Sequence, residues 1–177
     1  MKIKAIVFGI VLLVFFISPA CEKLDVSYEF FIEHEIEVVS SSKEFDVEEI
    51  LNASDASSYI KEYGDNIKSI DILDVTYQLT FFDGPDDQQI NTATLKVSDE
   101  NGGGPVEIST ATNINLLDAL NNVQPLQVNP AGVDRLAALI KAPPHKAMLT
   151  LVGTANEEPL NFKILFRFKV VMVAAPL

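Results

Sequence analysis

Two stretches of this chain alternate with a period of two. In "VSYEFFIEHEIEVV", Tyr28, Phe30, Ile32, Ile36 and Val38 fall on one face, while Glu29, Glu33, Glu35 and Glu37 fall on the other. Near the far end, "LNFKILFRFKVVMV" puts Leu160, Phe162, Ile164, Phe166, Phe168, Val170 and Met172 on one side. Asn161, Lys163, Arg167 and Lys169 take the other. Side chains alternate across a strand, so each stretch predicts a strand with one buried and one wet face. The first wet face is acidic and the second basic. Opposite charges across strands attract weakly, which predicts that these two strands pair.

More strands are expected between them. In "IKSIDILDVTYQLTFF", Val75, Tyr77, Leu79 and Phe81 are in phase, but Ile70 and Ile72 are in the opposite phase, which predicts a bulge near Leu73 and Asp74. "DGPDDQQ" reads as a turn that returns "INTATLKVS" as a hairpin partner. "NGGGP" turns the chain again into "VEISTAT", and "AMLTLVGTA" precedes the last strand.

Three short helices interrupt the strands. "DASSYIKEYG" has Ser54 or Asp55 as its cap and stops at Gly64, and "INLLDALNN" makes a second. The third has the fullest set of signals. Asn129 caps it, Pro130 opens it, and Pro143 and Pro144 end it. Val133, Leu136, Ala137 and Ile140 form its apolar stripe. Together these patterns predict an antiparallel β-sandwich, immunoglobulin-like or related, with two or three helical insertions plugging its ends. No internal repeat or linker divides the chain.

Composition narrows the function classes. The chain has 177 residues, enough for one domain, and a formal net charge of −12. Such a surface repels phosphate backbones, and the absence of tryptophan leaves little to stack bases on. Nucleic acid is therefore not an expected partner.

The first residues change the picture again. Lys2 and Lys4 precede an uncharged apolar run over residues 5–17, then Ser18, Pro19, Ala20 and Cys21, the only cysteine. A basic start and a short apolar core match an export signal and are short for a membrane span. With a single cysteine no disulfide can form within the chain, so the core alone must stabilise the fold. The segment resembles a bacterial lipoprotein signal peptide, whose lipobox cysteine is diacylated and becomes the new N-terminus. It departs from the usual lipobox at Ser18, where Leu, Val or Ile is customary. Two other readings of the residues stay open. Ser18 and Ala20 satisfy ordinary signal peptidase, giving a secreted chain with a free thiol, and the segment could remain as an uncleaved anchor. Glu22, Lys23 and Asp25 resemble the tag that carries some lipoproteins of Bacteroidetes-type bacteria to the outer face of the outer membrane. A plain solvated tether explains them equally. The leader and general strand order resemble the small, uncharacterised β-sandwich envelope lipoproteins of such bacteria. That resemblance implies no active-site residues.

Candidate chemistry is sparse. His34, on the apolar face of the first strand, reads as a buried or edge histidine with its hydrogen bonds satisfied, and His145 lies in a loop. Two histidines and an acylated thiol do not make a zinc site. Asp83, Asp86 and Asp87 are weak candidates for calcium, as are Asp99 and Glu100, though turn chemistry accounts for both groups. No nucleophile elbow is present, and the glycines at 102–104 lack the lysine of a phosphate loop. Glu33, Glu35 and Glu37 read as a wet face that guards an edge against strand addition. Tyr59 and Tyr63, one helical turn apart, read as the buried face of a short helix more readily than as an exposed aromatic pair.

The expectations are then a signal peptide at 1–20, a lipidated tether at 21–27 with Cys21 as the acylated residue, and one sandwich domain at 28–177. The protein is expected to be non-enzymatic and without a cofactor. It is expected to be held at the bacterial envelope, on the outer membrane facing either side, and to bind or scaffold a protein or glycan. A structural or adhesin-like assembly subunit is the alternative, and an exported carboxylate-based enzyme is a third reading.

Overall fold

A computed structural model describes residues 24–177. The leader at 1–20 and Cys21 lie outside the described residues. The elements are β1 (Val26–Ser40), β2 (Glu44–Asn52), α1 (Ala53–Ala56), α2 (Ser58–Tyr63), β3 (Ile67–Phe82), β4 (Gln89–Ser98), β5 (Val106–Asn115), α3 (Leu116–Ala119), β6 (Gln124–Pro125), α4 (Pro130–Lys141), β7 (Lys146–Ala155) and β8 (Leu160–Ala174). A single 3-10 turn at Gly64–Asn66 follows α2. Val26 and Ser27, expected outside the domain, already pair with Ala174 and Val173 in β1.

The strands form two four-stranded antiparallel sheets, β1-β8-β3-β6 and β2-β7-β4-β5. The predicted sandwich is what forms. Its core is continuous between the sheets, from Ile32, Ile36 and Val38 through Phe162, Phe166 and Phe168 to Leu149 and Leu151. Within the sandwich class, the connectivity is that of a jelly roll rather than the immunoglobulin order. β1 pairs with β8, β2 with β7, β3 with β6 and β4 with β5, so the chain doubles back about the tip at 101–105 before it rolls up. Only β4 and β5 are sequence neighbours within one sheet. The hairpin expected across "DGPDDQQ" is therefore absent. β3 and β4 belong to different sheets, and 83–88 crosses between them. Turn residues specify a change of direction, and they do not specify whether the strands that follow share a sheet.

The β1–β8 pairing follows the charge pattern. Glu33 pairs in register with Arg167, whose Nε donates to Glu33 Oε1 at 2.7 Å. Lys169 reaches Glu29 at 2.8 Å, and Lys163 lies 3.6 Å from Glu37. The hydrogen bond and charge of Glu29 raise the pKa of Lys169. The β3 bulge is also found, with a register shift between Ile72 and Asp74 and Leu73 turned outward.

The helices close both ends. α4 has the predicted cap, with Asn129 Oδ1 accepting from the Ala131 N–H, and its four stripe residues are buried. It packs on β3, β5, β4 and β7 across the end where β1 begins. The first predicted helix is two pieces, α1 and α2, separated by extended Ser57; neither Ser54 nor Asp55 caps it, since Asn52 precedes Ala53. α3 closes the opposite end, where β3 and β5 finish. No helix among the described residues is long and apolar enough to cross a membrane.

Candidate functional site

Most residues singled out from sequence have structural roles. Asp83, Asp86 and Asp87 are exposed, and 83–88 is held through its backbone, with Asp87 C=O accepting from Asn156 Nδ2 at 3.1 Å. Among the described residues no three His, Cys, Asp or Glu side chains gather as a metal would require. Asp99 folds the hairpin tip. Its Oδ1 accepts from the backbone N–H groups of Gly103 and Asn101 at 2.9 Å each, which holds its carboxyl below the usual range. Glu100 is exposed.

His34 lies on the inner face of β1, but its hydrogen bonds are not all satisfied. Nε2 is buried without a hydrogen-bond partner among the described residues, while Glu49 Oε2 stands 3.5 Å away. Burial lowers the His34 pKa and outweighs the raising effect of Glu49. His145 is buried rather than free in its loop, with Nδ1 2.9 Å from the Ile140 carbonyl. Tyr59 and Tyr63 pack as expected. Tyr59 stacks on Tyr28 with ring centroids 4.6 Å apart, and the Tyr63 hydroxyl meets that of Tyr28 at 2.6 Å.

The long sides of the sandwich differ in charge. On one side, edge strands β1 and β2 carry Glu29, Glu33, Glu35, Glu37, Glu44, Asp46, Glu48 and Glu49. On the other, β5 and residues 120–129 carry one charged side chain, Glu107, with Asp118 in α3 and Asp86 beside Asn115, among many Asn, Gln, Ser and Thr side chains. Here the sheets part around a groove of about 440 Å³.

The local backbone explains the opening. β5 kinks at Asn113, which takes a left-handed conformation at φ 55°, and the β4–β5 pairing skips it and Asn91. Asparagine tolerates this region better than most residues. The kink changes the phase of the strand, so Ala111 and Ile114 both face the apolar interior although three residues apart. The second wall is the 120–129 strap, which runs along the edge of β3. Asn121 N–H donates to the Leu79 carbonyl and Leu126 N–H to that of Val75. The strap then crosses to β5, where Asn129 N–H donates to the Ile108 carbonyl at 2.7 Å and Ser109 Oγ to the Gln127 carbonyl at 2.7 Å. These bonds close the groove at its lower end, and α3 closes the upper.

Several groove residues have polar groups to spare. The side chains of Thr112, Asn113, Asp118, Gln124 and Gln127 line the groove and make no hydrogen bond within the described residues. Tyr77 and Leu126 also line it. Burial raises the Tyr77 pKa, keeping its hydroxyl protonated. None of these residues stood out in the sequence. The one available signal was the run "NINLLDALNNVQPLQVN", rich in Asn and Gln and carrying a single charge, Asp118, within an acidic chain. A shallower depression of about 500 Å³ lies on the outer face of β2, β7 and β4 over Gly153. It has one wall of strand surface and no enclosing strap.

No family model matches the sequence, and no curated protein matches it. The fold is similar to chains from several viruses. Turnip yellow mosaic virus gives a TM-score of 0.41 at 12% identity, covering 90% of this chain and 85% of that one. The semi-empty VLP of giant freshwater prawn Macrobrachium rosenbergii nodavirus gives 0.39 at 7%, with 89% and 98% covered. Desmodium yellow mottle tymovirus gives 0.37 at 10%, with 87% and 89% covered. Similarities this low carry no argument about function.

Proposed function

We propose that this is a lipid-anchored cell-envelope protein that binds or scaffolds a partner and catalyses no reaction of its own. The observation that carries this reading is the position of the groove relative to the start of β1. Val26 follows Cys21 by five residues, which span at most about 17 Å. An acyl chain on Cys21 would therefore hold the end bearing α1, α2 and α4 close to the membrane. The groove occupies the upper half of β5 and the α3 end, the half of the sandwich farther from that anchor. A binding site directed away from an anchoring surface suits a tethered receptor.

The assembly-subunit reading finds less support in the edges. β1 and β2 are lined with acids, and the lower half of β5 is already bonded to the strap. Charged and covered edges resist strand addition.

Intact mass of the protein purified from its own membranes, with protease shaving of whole cells, tests the proposal. A chain starting at Cys21 with a lipid-sized addition, and shaved from outside, is the expected result. Cys21→Ser should release the protein from membranes. An unmodified chain starting at Cys21 would mean ordinary secretion, and Cys21→Ser protein that stays with membranes at high salt would mean another anchor.

A further inference from the structure

We infer that the groove between β5 and the 120–129 strap is a binding site for a neutral saccharide; this rests on the binding role proposed above and names its ligand class. The first argument is charge. Among the described residues, Asp118 is the only charged side chain lining the groove, in a chain of net charge −12 whose opposite edges are dense with carboxylates. Anionic ligands are disfavoured by that field. A cationic ligand would find far more carboxylate on the β1 and β2 side.

The second argument is the kind of polar group. Asn113, Gln124 and Gln127 each offer an amide with both donors and an acceptor, Thr112 offers a hydroxyl, and Asp118 accepts. Each is free of hydrogen bonds within the described residues. Adjacent hydroxyls on a sugar ring present donor and acceptor together, which an amide or carboxylate can engage as a pair. Half-buried Leu126 and the exposed margin of Tyr77, 9% of its surface, give the same groove a small apolar contact for the C–H face of a ring. A volume of about 440 Å³ lies within the range of small-molecule sites.

The third argument is against an extended polypeptide, the main competing occupant. Strand addition needs a run of free, regularly spaced backbone groups. Here the Ile108 carbonyl already accepts from the Asn129 N–H, the strap backbone at Gln127 lies against the Ser109 hydroxyl, and Asn113 breaks the strand with φ 55°. Only residues 109–112 remain between Ile108 and Asn113, too short a template.

The test uses the full chain purified from membranes in a polyoxyethylene detergent, since sugar-headed detergents would compete. Di- and trisaccharides of glucose, galactose, mannose and N-acetylglucosamine serve as probes in titration calorimetry, each up to about 10 mM, well above the Kd of a weak specific site. At least one probe should bind. Asn113→Gly, which keeps the left-handed backbone, and Gln124→Ala should each weaken it about tenfold, the loss of roughly one ligand hydrogen bond. Glu48→Gln, on the far side, should leave affinity unchanged, and all variants should keep the wild-type thermal midpoint. Absence of binding by every probe, or binding that ignores both groove variants, overturns the inference. So does a photo-crosslinker at Thr112 that captures a polypeptide strand. A failed panel together with a lipidated, shaved protein would leave the envelope role standing, while a bound saccharide on an unlipidated chain would do the reverse.

Discussion

The hydroxyl oxygens of Tyr28 and Tyr63 lie 2.6 Å apart, joining the start of β1 to α2. This hydrogen bond, followed by burial and then by the charges of Tyr28 and Glu62, pushes the Tyr63 phenol up to about 12. The fold thus favours neutral Tyr63. Its contribution to stability is complete below the ordinary value of 10.0 and is lost as pH rises through about 12. Ultraviolet titration should show a phenol ionising near 12, and Tyr28→Phe should bring Tyr63 back toward 10. A wild-type Tyr63 ionising near 10 would contradict the hydrogen bond.

His34 makes the opposite prediction at the acid side. Its pKa is held below 6.5 by burial, so the folded protein favours neutral imidazole. Stability from this group is present above 6.5 and is lost as pH falls through the lower folded value, because the unfolded chain takes up the proton first. Between pH 7 and 5, His34→Phe should lose less stability than the wild type in urea titrations. Glu49→Gln should depress the His34 pKa further by NMR, because Glu49 is the group that raises it. An unchanged pKa in that variant would show that Glu49 does not act on the ring.

The ion pairs across β1 and β8 are partly exposed, with Arg167 at 34% and Glu33 at 52% side-chain exposure. Exposed pairs of this kind contribute little, so a double-mutant cycle with Glu33→Ala and Arg167→Ala should give a coupling of about 0.2–1 kcal/mol. In roughly 1 M salt that coupling should shrink, since the screening length falls to about 3 Å, close to the 2.7 Å separation of the pair. A coupling above about 2 kcal/mol would mean a pair far less solvated than these exposures indicate.

How legible the architecture was depended on how local its cause was. β1, β8 and α4 each carry their own pattern, and the Ile72–Asp74 bulge betrayed itself as a phase change within one segment. β2 was hidden because Glu49 sits in the inward phase between Val47 and Leu51, so "EFDVEEILN" does not alternate cleanly. That glutamate is tolerated because it meets His34 at the margin between the sheets, a partner fifteen positions away. The false hairpin at 83–88 failed for the same reason, since which sheet a strand joins is settled by long-range pairing. The groove was least visible. Gln124 and Gln127 are ordinary polar residues until the strap brings them opposite Thr112 on β5.

Phe162 tests how the two sheets are held together. It is 2% exposed and meets the ring of Phe45, on the other sheet, edge-on at 5.9 Å. Phe162→Ala removes the ring from both sheets at once and should cost about 3–5 kcal/mol. The same truncation at exposed Phe31 should cost well under about 1 kcal/mol. Comparable losses at the two positions in urea unfolding would refute this division of core and surface.

Gly132 sets two effects of known size against each other. In the first turn of α4, alanine would favour the helix by about 1 kcal/mol. A Cβ there would overlap the Glu107 carbonyl and approach Ile108 Cα to 2.7 Å. Both contacts are backbone and cannot rotate away, so the helix itself must lift from β5. Overpacking of this kind costs about 1–3 kcal/mol, and the lift also strains the Asn129–Ile108 hydrogen bond just before the helix. The clash should win, and Gly132→Ala should lower the urea midpoint. Because Gln127 and Asn129 tie the strap to β5 beside this contact, the variant should also weaken saccharide binding at temperatures where it remains folded. A Gly132→Ala protein as stable as the wild type would show that α4 shifts freely on β5, and that the strap is not the fixed wall these bonds imply.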